Sequence, residues 1–168
     1  GSVCTALFRK EILHDLRFPK GILHEDEEFT PQLMLRAENL YFTNNKAYYY
    51  RKREGSIMHK CDKRWHIRRL ADAEQVLYRL KERADYLPVK ERIAMERRIA
   101  QLTMDHIYNV IRLTHDETHL DHVLQRLSRH GLFPLPDKDY TSKYKWFRRM
   151  TNSSFGRKTL IMLLRAKG

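Results

Sequence analysis

The chain has 168 residues and a formal net charge of +12, from 33 Lys and Arg against 21 Asp and Glu. Its hydrophobic fraction of 42% is enough for a packed core, which excludes a disordered segment, and its six Gly and five Pro exclude a collagen-like or Pro/Gly-rich chain. Since domains commonly contain about 100–200 residues, the length also excludes a long parallel α/β enzyme.

The first sixty residues predict two short helices and a β-hairpin. Residues 8–16 have apolar side chains at helical spacing, and the Phe-Pro-Lys-Gly sequence at residues 18–21 ends this helix. A second helix is expected from Asp26, where acidic residues fill the first turn. Residues 40–42 and 47–50 are rich in aromatic residues and predict two strands joined by a tight turn.

The middle of the chain has the pattern of an antiparallel helical bundle. Apolar residues recur at alternating spacings of three and four along residues 70–87, and Pro88 ends this helix. Residues 90–113 are apolar on more than one side, which predicts the central helix of the bundle. A capping box at residues 114–117 predicts the start of a further helix, which Gly131 ends.

The positive charge is concentrated in the C-terminal segment. Residues 132–168 contain nine basic and two acidic residues, whereas the first sixty residues have a net charge of only +2. Within this segment, residues 143–149 are basic and aromatic, and residues 158–165 predict a last helix. The segment fits an amphipathic element on an anionic membrane surface, a helix packed on the bundle with a solvated basic face, or nucleic-acid binding. No recognised nucleic-acid-binding motif is present, so no nucleic-acid partner is expected.

Two features bear on the compartment. The two cysteines, Cys4 and Cys61, form neither a disulfide framework nor a metal-ligand spacing, which favours a reducing environment. No run of about 18 apolar residues occurs, so no transmembrane helix is predicted. We therefore expect a cytoplasmic protein with peripheral contact at the inner face of the membrane. Because Gly1 is not an initiator Met, we also expect a piece of a longer protein.

The most distinctive candidate for a catalytic site is the run of four carboxylates at residues 25–28. The positive end of a helix dipole favours such side chains, and an ionised, positioned carboxylate can act as a general base. Acidic first turns are also common on solvated helix surfaces, and composition alone favours that second interpretation.

Three ordered segments resemble the second half of the catalytic domain of bacterial family 2 glycosyltransferases. They are LFRKEIL at residues 7–13, RFPKGILHEDEEF at residues 17–29 and AYYYRKREGSIM at residues 47–58. The resemblance implies an inverting transfer of a sugar from a nucleotide-sugar donor to a sugar or lipid-linked acceptor, as in cell-surface polysaccharide synthesis. It also implies that Asp26 takes the proton of the acceptor hydroxyl, with Glu25 as its partner.

The resemblance further assigns residues to the donor. Arg51, Arg53 and Ser56 would face the donor pyrophosphate, as suits guanidinium and hydroxyl donors. His59 falls where some family members complete a metal site, although an exposed loop histidine explains it equally well. The aromatic run at residues 48–50 could stack on sugar rings, but alternating burial in a strand explains its first and third members without a ligand.

One departure from the family pattern bears on activity. Family members have an Asp-x-Asp metal motif in their first half, and no such motif precedes Phe8; the only spaced pair, Asp137 and Asp139, lies far downstream. We therefore expect a divalent metal, Mg²⁺ or Mn²⁺, only in the full-length parent. No cofactor is expected in this chain, which we predict to be inactive alone.

Together these observations predict an α+β, mostly α fold. Residues 1–60 would be the truncated C-terminal half of a nucleotide-sugar transferase α/β domain, residues 61–131 an antiparallel helical appendage, and residues 132–168 a linker and basic amphipathic tail. The alternative is a non-catalytic helical interaction module that uses its basic tail on a membrane surface or nucleic acid. A truncated sheet would leave an open strand edge, which predicts a homodimer.

Overall fold

The computed structural model describes residues 3–51 and 62–166, and every regular element in these ranges is a helix. Two short 3₁₀-helices, Val3–Thr5 and Lys10–Leu13, precede the α-helices. The α-helices are α1 (Glu25–Arg36), α2 (Lys63–Asp85), α3 (Val89–Thr114), α4 (Glu117–Arg129), α5 (Ser142–Thr151) and α6 (Ser154–Arg165). The chain divides into two compact units, Gly1–Val76 and Leu77–Gly168, so α2 contributes to both.

The first unit is built around one face of α1. Phe29 and Leu33 of this helix are buried together with Leu16, which follows the second 3₁₀-helix. Val3, Ile12 and Leu13 are partly buried against this cluster. The apolar side chains that precede α1 therefore fold back onto it and fix its orientation within the unit.

The second unit is a helical assembly with α3 at its centre, as the sequence predicts. Helix α3 packs against α4, α5 and α6, and α6 also packs against α4 and α5. The core is formed by the apolar stripes of these helices and the last turns of α2. Its fully buried large side chains are Leu77, Leu80, Ile107, Val110, Ile111, Leu120, Leu127, Leu135 and Tyr144.

The ends of α4 show how local sequence sets a helix boundary. The N-cap is Asp116, whose side chain accepts a hydrogen bond from the His119 N–H at 3.0 Å, so the predicted capping box that begins at Thr114 is wrong by two residues. At the other end Gly131 has a φ of +67°, and the Leu132 N–H donates to the Leu127 carbonyl at 2.9 Å. This Schellman ending confirms the predicted role of Gly131.

The predicted α+β fold is wrong. Residues 37–51 contain no strand, and the aromatic side chains of the expected hairpin are exposed. An isolated hairpin is only marginally stable in water, and these residues bury no apolar face that would stabilise strand pairing. The part of the chain that the structure describes is therefore not half of a nucleotide-sugar transferase α/β domain. The open sheet edge that motivated a homodimer is absent from this part as well.

The helix expected over residues 8–16 is also wrong in type. Its place is taken by the 3₁₀-helix Lys10–Leu13, which ends at His14 with a φ of +43°. Because 3₁₀-helices have poorer hydrogen-bond geometry than α-helices and are usually short, this segment acts as a connector. The predicted start of α1 is confirmed to within one residue, at Glu25.

Candidate functional site

The two predicted catalytic residues, Glu25 and Asp26, lie side by side in the first turn of α1. Glu25 is exposed, and Asp26 is half-buried. The N-cap residue, His24, has a left-handed backbone with a φ of +65°, and its carbonyl accepts a hydrogen bond from the Glu27 N–H at 3.0 Å. The carboxylates therefore occupy the positive end of the helix, where the backbone N–H groups and the dipole favour negative charge.

Buried side chains one and two turns further along α1 anchor this turn. Glu28, Phe29 and Leu33 are buried. The ring of Phe18 stacks on Phe29 with 3.9 Å between the ring centroids, and the Gln32 side chain donates to the Glu28 carbonyl at 2.7 Å. Because the buried side chains immediately follow Glu25 and Asp26, the position of the first turn is fixed by packing.

Polar side chains of α2 hold the loop that leads into α1. The contacts join the Leu23 N–H to Asp72 Oδ2 at 3.0 Å, Arg68 Nη2 to the Gly21 carbonyl at 3.1 Å, and Arg69 Nε to His24 Nε2 at 3.3 Å. All three partners on the loop lie within four residues of Glu25. The two arginines also bring positive charge to the residues that precede the acidic turn.

These residues of α2 are not among the site residues that the sequence predicts. Arg68 and Asp72 are four residues apart on one helical face, with 3.7 Å between Nε and Oδ2, and this spacing was the available sign of a polar pair. Nothing in the spacing indicates a partner more than forty residues earlier in the chain.

The C-terminal end of α1 is tied to the segment before it. Arg36 donates to the Leu13 carbonyl, and its Nη2 lies 2.8 Å from Asp15 Oδ1. The Arg36 guanidinium holds the pKa of Asp15 below its usual value. Because this ion pair lies on the surface, it contributes little to the stability of the fold. Its main effect is to position the segment that precedes α1.

The residues expected to bind the donor are only partly described. Arg51 is exposed and lies at the end of a segment without regular structure. Arg53, Ser56 and His59 lie outside the described residues. The structure therefore brings together Glu25 and Asp26, and of the predicted donor residues it describes Arg51 alone.

The tyrosines at residues 48–50 are all exposed, so the alternating burial expected of a strand is wrong. The hydrogen bond between the Cys4 thiol and Tyr48 is the main cause that raises the pKa of Tyr48. Stacking of these rings on a sugar stays a prediction.

A metal site needs several ligating side chains close together. Within residues 3–51 and 62–166, no three His, Cys, Asp or Glu side chains lie together in a group that could hold a metal ion. The described residues thus offer no such group for Mg²⁺ or Mn²⁺.

Comparisons with other proteins leave the family open. No protein-family model, curated protein or solved structure matches the chain. In the described part of the chain, none of the helices combines the length and apolar character needed to cross a bilayer. The resemblance to family 2 glycosyltransferases is therefore carried only by the three segments quoted above.

Proposed function

We propose that this chain belongs to a glycosyltransferase and that Asp26 is its general base. In the reaction that the resemblance implies, the Asp26 carboxylate takes the proton of an acceptor hydroxyl. The hydroxyl oxygen forms a bond to the anomeric carbon of the donor sugar, the bond from that carbon to the phosphate oxygen breaks, and the nucleoside diphosphate leaves. Attack from the opposite side inverts the anomeric configuration.

The observation that supports this proposal most is the placement of Asp26. A general base needs an ionised carboxylate at a fixed position, and Asp26 lies at a helix N-terminus that favours the anion. The buried side chains of Phe29 and Leu33 prevent the helix from rotating, and the polar contacts of α2 hold the preceding loop. Glu25 is more exposed and would assist by orienting the acceptor.

Further features fit a sugar substrate. The exposed rings of residues 48–50 offer flat apolar surfaces, which suit the C–H face of a sugar ring. Arg51 follows them directly and carries the charge that a pyrophosphate needs. The donor-binding roles of Arg51, Arg53 and Ser56, the metal role of His59 and the requirement for Mg²⁺ or Mn²⁺ in the full-length parent remain part of the proposal.

The test is an assay of the product of the intact gene. Nucleoside diphosphate release would be followed with UDP-sugars and GDP-mannose in the presence of Mn²⁺, with bacterial lipid extract as the source of acceptor. Asp26→Asn is expected to slow release by about 10²–10⁴-fold, the usual contribution of a general base, while donor affinity stays nearly unchanged. Glu38→Gln, which neutralises an exposed carboxylate just beyond α1, is the matched control and should leave the rate unchanged.

Release at the wild-type rate by Asp26→Asn would show that Asp26 is not the base. Absence of release with every donor would instead favour the second candidate, a non-catalytic helical interaction module. The observation that favours this candidate is the helical character of all regular structure in residues 3–51 and 62–166.

A further inference from the structure

The outward face of α5 combines an aromatic ring with two cations. Trp146 is 52% exposed, and Lys143 and Arg149, one turn before and one turn after it, are exposed as well. The other side of α5 carries Tyr144 and Phe147, which are buried. We call the exposed group of Lys143, Trp146 and Arg149 the α5 face.

Helix α6 exposes an apolar stripe although its opposite side is also apolar and buried. Phe155 and Met162 are two turns apart, and Leu163 is adjacent to Met162 on the same side of the helix. Phe155 is 83% exposed and Met162 is 74% exposed, whereas Leu160 and Ile161 belong to the core. We call Phe155, Met162 and Leu163 the α6 stripe.

The acidic residues nearby do not neutralise the α5 face. Asp137 and Asp139 are the only acidic residues between positions 132 and 168. Asp137 pairs with Arg148, and Asp139 pairs with Lys145 at 2.9 Å. Among the described residues, neither Lys143 nor Arg149 has a carboxylate within ion-pair distance, although the charge of Arg149 also acts on Asp139. Because Asp139 already pairs with Lys145, the charge of the α5 face is available to an external anion.

The two helices form a firm support for these side chains. The Thr141 and Ser153 hydroxyls cap the N-termini of α5 and α6. They accept hydrogen bonds from the backbone N–H groups of Tyr144 and Gly156, respectively. Gly156 lies so close to α5 that a Cβ atom there would be 2.2 Å from the Met150 carbonyl oxygen. The exposed side chains are therefore held on packed, capped helices.

We propose that the α5 face and the α6 stripe bind the surface of an anionic phospholipid bilayer. Lys143 and Arg149 would contact lipid phosphates, Trp146 would lie at the headgroup level, and the α6 stripe would enter the acyl boundary. This proposal goes beyond the glycosyltransferase function and does not depend on it.

Two other occupants fit the surface less well. A second copy of the chain would bring the same basic surface, which repels itself. A nucleic acid would satisfy the cations and could stack on Trp146 or Phe155, but it would leave Met162 and Leu163 in water. A bilayer satisfies the cations and also removes the aliphatic side chains from water.

The experiment is co-sedimentation of the chain with vesicles of phosphatidylcholine containing phosphatidylglycerol, compared with vesicles of phosphatidylcholine alone. Binding is expected to the anionic vesicles and to weaken as salt is added. Phe155→Ser is expected to weaken it by about tenfold or more, since one buried aromatic side chain is lost. Tyr86→Ser is the matched control, because Tyr86 is 85% exposed but follows α2.

Charge and insertion are tested separately. Lys143→Gln with Arg149→Gln should weaken binding more than Lys90→Gln with Arg129→Gln, which removes two exposed cations elsewhere. In a Trp65→Phe background, Trp146 is the only tryptophan, and its emission should shift to the blue with anionic vesicles. Circular dichroism of each variant checks that the helices are retained.

Equal binding by Phe155→Ser and Tyr86→Ser would overturn the proposal, as would Trp146 emission that does not shift when the chain sediments. A dimer in light scattering that Phe155→Ser dissociates would assign the surface to a second copy. Displacement from vesicles by a short DNA duplex, together with vesicle binding by Phe155→Ser as tight as that of the wild type, would show that charge alone acts and would also overturn it.

Discussion

The two compact units differ in how completely they bury their apolar side chains. In the second unit, Leu80, Ile107 and Leu127 have no exposed surface. In the first unit, Tyr41 is 92% exposed and Phe42 is similarly uncovered, although both are strong β-formers. Apolar content alone thus does not build a core, because the apolar residues must also fall on one face of a regular element.

This difference predicts unequal local stability. The first unit has its buried cluster around Phe29 and Leu33, with partly buried side chains packed against it. The second unit buries stripes from α3, α4, α5 and α6 against one another. Regions with fewer buried apolar contacts open at lower free energy, so we expect the first unit to exchange its amide hydrogens faster.

Two leucines of matched burial measure this difference directly. Leu33 in α1 is 2% exposed, and Leu127 in α4 is fully buried. Either change to Ala removes buried methyl groups, a substitution that usually costs about 2–5 kcal/mol. Leu127→Ala should lower the unfolding midpoint of the second unit, whereas Leu33→Ala should speed exchange within α1 and leave α3 protected. Hydrogen exchange followed by mass spectrometry reports both effects.

If Leu33→Ala sped hydrogen exchange in α3 and α4 as much as Leu127→Ala does, the two units would unfold together. Their predicted difference in local stability would then be wrong. Unchanged exchange in α1 with Leu33→Ala would show that the cluster around Phe29 contributes little to its unit.

A glycine provides a test confined to the second unit. An added Cβ at Gly156 would approach the Met150 carbonyl oxygen to 2.2 Å, and Met150 Cα to 2.7 Å, so α5 and α6 must separate. Overpacking of this kind usually costs about 1–3 kcal/mol, which exceeds the gain in helix propensity from Gly to Ala. Gly156→Ala should therefore lower the thermal midpoint of the second unit.

Ser154→Ala is the control for this change, since Ser154 is exposed in the first turn of the same helix. It is expected to have little effect. A Gly156→Ala protein as stable as the wild type would mean that the close approach of the two helices is not required for their packing.

Local patterns in the sequence predict part of the second unit, although they do not predict α5 as a helix and they place the start of α6 at Lys158, four residues too late. The three-and-four spacing of apolar residues along 70–87 identifies α2, because helical periodicity places these residues on one face whatever they pack against. Apolar residues on more than one side of residues 90–113 identify α3 as the central helix. The glycine after α4 marks its end for an equally local reason, the left-handed backbone that it adopts. Helix boundaries are harder to predict where several side chains can act as the cap. The N-cap of α4, for example, is Asp116 and not the predicted Thr114.

Local sequence patterns predict the structure of the first unit less well. The β-forming residues at 40–50 satisfy the local rules for a hairpin, but strand pairing needs a buried face that the described chain does not provide. At the candidate site, the acidic first turn places Glu25 and Asp26 correctly at a helix start. The contacts from Arg68 and Asp72 to the preceding loop could not be predicted, because they join residues that are distant in sequence.

The smallest expected effect concerns a buried phenol in the second unit. The Tyr144 hydroxyl donates to the Pro136 carbonyl at 2.9 Å, and burial raises the pKa of Tyr144 to about 12. Tyr144→Phe keeps the ring and removes this hydrogen bond, at a cost of about 1 kcal/mol near neutral pH. Chemical denaturation of both proteins measures the difference, and Tyr86→Phe, which removes an exposed hydroxyl, is the control.

The pH dependence gives this last prediction its sign. Above the usual pKa of tyrosine, about 10, the unfolded chain loses the Tyr144 proton while the folded protein retains it. Ionisation therefore favours unfolding, and the stability contributed by the neutral phenol is lost as the pH rises from about 10 to about 12. The free energy of unfolding of the wild type should therefore fall relative to that of Tyr144→Phe across this pH range. If the difference in unfolding free energy between the two proteins stayed constant up to pH 12, the phenol would be as accessible to water in the folded protein as in the unfolded chain.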